Sequence, residues 1–141
     1  MAALSVDRMT KKKNAVKVSD QPVLAATKVY MGSLVAKTTA SGGYAVPAAD
    51  AAGGIVLGVA YAQVDNSAGA SGDKSVELEH GIFSFVVTGT FTIANVGAIA
   101  YVADDQTVQA AIGTNSVKAG LFLKYVSATE AWVKIDMAGL A

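Results

Sequence analysis

What most constrains this chain is its punctuation. From Val23 onward, short β-branched or aromatic runs are broken every few residues by Gly, Ser, Asn or Asp. Antiparallel sheets joined by tight turns require this rhythm. The strands expected from it are Thr27–Tyr30, Leu34–Thr38, Tyr44–Pro47, Ile55–Val64, Ser75–His80 and Ile82–Thr88, then Phe91–Ala94, Ala98–Ala103, Thr107–Ala111, Val117–Val126 and Ala131–Asp136. The turns between them suit the purpose. Met31-Gly32-Ser33 and Ser41-Gly42-Gly43 reach positive φ at little cost, and Asp104-Asp105 fits a tight hairpin. The Ala-rich stretch Ala45–Ala52 contains Pro47 and runs into Gly53-Gly54, so it is expected as loop rather than helix. The prediction is an all-β fold, a small antiparallel β-barrel or β-sandwich.

Alternation sets the faces of two strands. In Ser75–Glu79, Val76 and Leu78 are expected inward, with Glu77 and Glu79 outward. In Ala131–Asp136, Val133 and Ile135 share one face, and Trp132, Lys134 and Asp136 the other. Ile55–Ala62 is apolar on both faces, as in a buried central strand or a contact between subunits.

Residues 1–20 differ in character. Arg8, Lys11, Lys12, Lys13 and Lys17 face only Asp7 and Asp20, a local charge of +3, which leaves the rest of this neutral chain at −3. With little apolar content before Ala15, the segment is expected as a basic, extended N-terminal arm, followed by a single β domain over 21–141. The five basic residues are the candidate contacts to an acidic partner surface. Val16 and Val18 alternate around Lys17, so Ala15–Ser19 is expected to add as a strand to a partner's sheet edge.

Charged residues are only 16% of the chain, against about 25% in ordinary soluble domains. Such a chain belongs in a membrane or covers its surface with other protein. A spanning helix needs about 20 consecutive apolar residues, and no such run exists. Nor does the N-terminus fit a signal peptide, since Asp7, Arg8 and Lys11–Lys13 interrupt any apolar stretch. The balance of 11 basic and 11 acidic residues, with no aromatics interleaved among Lys11–Lys13, argues against nucleic acid as partner.

Chemistry-bearing patterns are sparse. His80 is the single histidine and cysteine is absent, so neither a His cluster nor a Cys–His pair can form. Ser75 and Ser84 near His80 lack a nucleophile-elbow pattern. Asp65, Asn66 and Asp73 bracket a polar loop, but their spacing matches no EF-hand. Gly69–Ser75 looks superficially like a phosphate-binding loop. It has two residues between its glycines where four are needed, places Asp73 before Lys74, and leads into a strand instead of a helix. No enzyme activity, metal or cofactor is expected.

Several phrases in order resemble the small head decoration proteins of tailed phages, the capsid-stabilising or cement subunits. They are Ala26-Thr27-Lys28-Val29-Tyr30-Met31-Gly32-Ser33-Leu34-Val35, then Gly43-Tyr44-Ala45-Val46-Pro47-Ala48, Gly58-Val59-Ala60 and Val64-Asp65-Asn66-Ser67 with Gly69-Ala70 and Gly72-Asp73. The likeness resumes in Gly81-Ile82-Phe83 and in Val96–Val108, and continues loosely in Ala119-Gly120 and the closing strand. Each phrase alone is a turn and a strand; their order and spacing carry the resemblance. It implies a virion protein on the outer capsid surface that binds the major capsid protein, bridges its subunits and meets copies of itself, as a trimer. It implies neither cofactor nor catalysis. The alternatives are another β-rich virion component, a tail or baseplate subunit, or a carbohydrate- or ligand-binding β module using Trp132 and the tyrosines.

Overall fold

A computed structural model describes residues 2–135, so Asp136 of the expected closing strand lies outside the described residues. The fold is all-β. Its strands are β1 (Lys12–Pro22), β2 (Thr27–Val29), β3 (Leu34–Lys37), β4 (Val46–Pro47), β5 (Ile55–Ala60), β6 (Val64–Asn66), β7 (Ser75–Thr88), β8 (Ile99–Val102), β9 (Thr107–Gln109), β10 (Lys118–Ser127) and β11 (Glu130–Ile135), with one 3-10 turn at Ile93–Asn95.

The spine is β7, which joins the two expected strands on either side of Gly81 into one. Its second half bonds to antiparallel β11 on one edge and to parallel β9 further along. Pairings β9–β8, β8–β10 and β10–β11 complete a closed barrel of β7, β9, β8, β10 and β11. Its first half leaves the barrel, carrying β1 on one edge and β5 on the other, with β3 and β4 beyond β5. A parallel bridge between Val23 and Ala45 ties the chain after β1 to the chain before β4. This wraps a second, smaller lobe, to which the separate β2–β6 hairpin also contributes.

Each lobe has its own apolar filling. Phe83, Phe85, Phe91, Phe122, Val133 and Ile135 are among the buried residues of the barrel, with Phe91 and Phe122 ring centroids 4.6 Å apart. Val23, Val29, Val35, Leu57, Val76 and Leu78 fill the smaller lobe. Burial of each such side chain contributes about 1.5–3 kcal/mol. Val133 and Ile135 turn inward as alternation predicts, and the Asp104–Asp105 turn forms, Gln106 N donating to Asp104 Oδ1 at 3.0 Å.

Further expectations differ from what the structure contains. Within the arm expected over residues 1–20, residues 12–20 belong to β1, and Ala15–Ser19 pairs along β7 of the same chain instead of a partner's sheet edge. The Phe91–Ala94 strand is replaced by the 3-10 turn, because Thr92 and Asn95 cap it reciprocally (Asn95 Oδ1 accepts from Thr92 N at 2.8 Å) while Phe91 turns into the core. Ile55–Val64 breaks after Ala60, the chain turning to start β6. Glu79 is buried instead of outward, its carboxylate covered by the N-terminal segment and met there by the Lys12 ammonium.

Candidate docking surface

The N-terminal segment wraps the body as a strap. Leu4 N donates to Asp105 Oδ1 and Arg8 N to the Met31 carbonyl, before β1 begins its ladder with β7. The body is shaped for it. A side chain at Gly32, where φ is +82°, would place its Cβ 2.0 Å from the Arg8 carbonyl oxygen. One at Gly81 would stand 2.7 Å from Ala15 Cα. Only glycine lets the strap lie this close.

The five predicted basic residues do not form one cluster. On one side of the strap, Lys12 Nζ donates to both oxygens of buried Glu79 at 2.9 Å, and Lys17 Nζ pairs with Glu77 at 3.0 Å. Both ammoniums stand over the Tyr61 ring, 5.3 and 4.5 Å from its centroid. The hydrogen bond to Glu77 holds the Lys17 ammonium above its ordinary pKa. Lys11 and Lys13 point to the opposite side, Lys11 Nζ lying 3.8 Å from Glu130 and Lys13 Nζ 4.6 Å above the Trp132 ring. A lysine on an exposed aromatic ring contributes about 0.5–1 kcal/mol.

Simple alternation would put Lys11, Lys13 and Lys17 together. It fails because β1 slips register between Lys13 and Val16, where Asn14 adopts φ of 50°. The extra residue of this bulge reverses the parity of the strand beyond it. Arg8 takes a third position. Its Nη1 donates to the Ser84 carbonyl at 2.9 Å and to Thr10 Oγ1 at 2.8 Å, with the guanidinium 5.2 Å from the Phe85 ring centroid. Desolvation lowers its pKa from the ordinary value, and Glu130 opposes that shift. Arg8 is thus an anchor of the strap.

Other residues singled out in the sequence have local duties. His80 Nε2 lies 2.7 Å from the Leu57 carbonyl, which can only accept, so Nε2 carries the proton. Ser84 Oγ donates to Glu130 Oε2 at 2.7 Å. Asn66 Nδ2 donates to the carbonyls of Val23, Leu24 and Ala70, and Asp73 Oδ2 accepts from Ala70 N at 2.9 Å, closing the loop before β7. Among the described residues, no group of three or more His, Cys, Asp or Glu is placed to hold a metal ion.

Sequence reasoning missed Lys124. It sits directly across from Trp132 in the β10–β11 ladder, although more than a hundred residues separate it from Lys13. Nothing local in the sequence marks that proximity. In comparison with known proteins, no family model, no curated protein and no solved structure matches the chain.

Proposed function

We propose that this chain is a non-enzymatic virion subunit that sits on the outer surface of a phage capsid, binds the major capsid protein and bridges its subunits. One observation carries the reading beyond the sequence resemblance. On a chain with only 16% charged residues, large apolar side chains stand out in solvent, Met9 at 83%, Ile93 at 74% and Val6 at 67% exposure. A subunit whose working state is covered by other protein accounts for such a surface. Contacts between copies, as a trimer on the shell, belong to the same proposal. A sugar-binding reading is less well supported, because Lys13 already occupies the neighbourhood of the Trp132 ring.

The test is co-sedimentation of the purified protein with capsids of the phage that carries it, stripped of this subunit. Saturable binding in a fixed ratio to the capsid protein is expected. Protein that stays in the supernatant at every salt concentration overturns the proposal.

A further inference from the structure

Ladder registers place one row of outward-facing residues across the barrel wall: Ile99 opposite Leu121, Leu121 opposite Lys134, Lys134 opposite Ile82, and Ile82 opposite Lys13. The next row runs from Lys124 through Trp132 to Ser84, whose N–H donates to the Lys11 carbonyl at 2.9 Å. The wall therefore presents Lys13 and Lys124, with Lys11 beside Lys13 at the strap edge. Among the described residues, the carboxylate in the adjoining row is Glu130, already engaged by Ser84 and Lys11. The chain as a whole is neutral, so this excess of positive charge is balanced elsewhere, with Asp20, Asp65, Asp73 and Glu77 exposed on the smaller lobe.

We infer that this wall, built from β1, β7, β11 and β10, is a docking face for an acidic protein surface. The inference rests on the capsid reading only for the partner's identity, since the face follows from the registers. Three features select protein over nucleic acid. The basic groups are lysines, point charges without the guanidinium fork that grips phosphates in pairs. Ile82 and Leu121 stand between them, giving apolar contact that a phosphate backbone does not use. Lys13 lies over the Trp132 ring at 4.6 Å, where a stacked base would have to go. The strap completes this face by supplying Lys11 and Lys13.

The experiment uses the full chain, isotope-labelled, titrated with poly-L-glutamate and separately with a single-stranded oligonucleotide of equal charge. Expected are amide and Trp132 indole shifts confined to the wall, abolished by high salt and by Lys13→Glu/Lys124→Glu. A control, Lys28→Glu/Lys37→Glu, should respond like the parent. The reversed variant should also bind capsids at least about tenfold more weakly. Lys13→Ala/Lys124→Ala serves if charge reversal impairs folding by far-UV circular dichroism. Shifts elsewhere, no shifts, or a larger response to the oligonucleotide overturn the inference. If the reversed variant binds capsids like the parent, the wall is not the docking face although the capsid reading stands. If the parent ignores capsids yet its wall responds to poly-L-glutamate, the capsid reading falls and the acidic-partner face stands.

Discussion

Replacing Lys12 with Met should destabilise the protein by about 2 kcal/mol. The Lys12 ammonium donates to both oxygens of Glu79, whose side chain is 7% exposed, while the Lys12 side chain is 44% exposed. Breaking a fully buried pair costs about 3–5 kcal/mol and an exposed pair contributes at most about 1 kcal/mol, so a half-open pair falls between. Glu79→Leu should cost less, about 1 kcal/mol, because the freed ammonium can turn to water. The double variant, with neither charge left buried, should return to within about 1 kcal/mol of the parent. The assay is urea unfolding followed by Trp132 fluorescence and far-UV circular dichroism. With a slope of about 1–3 kcal/mol/M, the midpoint should fall by about 1 M for Lys12→Met. A loss under about 0.5 kcal/mol, or single effects that simply add, would refute the claim that this pair staples the strap to β7.

Gly81→Val should cost about 1–3 kcal/mol by pushing a side chain into Ala15, and should speed amide exchange across Lys13–Lys17 before any other part of the sheet. Phe122→Ala should cost about 3–5 kcal/mol in thermal unfolding, since Phe122 is buried against Phe91 in the barrel core. Burial raises the Asp105 carboxyl above its ordinary pKa, ahead of the opposing pull of the Leu4 amide. The folded state therefore favours the protonated form, so stability from this group is fully present below its unfolded pKa of about 3.9 and is lost as pH rises through the folded value. Asp105→Asn should accordingly gain on the parent as pH rises from about 4 to about 7, measured by parallel urea titrations; a constant difference across pH would contradict it.

Much of the fold was legible because glycine and Asx punctuation is local. The turn at Asp104-Asp105 and the inward Val133 and Ile135 follow from neighbours in sequence. What was not legible depends on distant partners. The strap has few apolar residues before Ala15, so its periodicity is silent; backbone pairing to β7 and carboxylates at Glu77, Glu79 and Glu130 hold it instead. Composition reads a positive N-terminus and a negative remainder, but the two are joined in one sheet and pair through Lys11, Lys12 and Lys17 within one molecule. Removing residues 1–20 would therefore strip an edge from β7 and take Lys12 away from Glu79, rather than leave an intact body. The bulge at Asn14 then divided the basic residues between two faces, and only the folded register brought Lys124 beside Trp132.

The central claim, an outer-surface capsid subunit docked through its basic wall, is tested most directly by imaging the phage's capsids with and without this chain by cryo-electron microscopy. The account predicts barrel-shaped density outside the shell, present only in the first sample, with Lys13, Lys124 and Trp132 facing acidic capsid residues. Identical particles in the two samples, or density whose β1–β7–β11–β10 wall faces solvent, would contradict it.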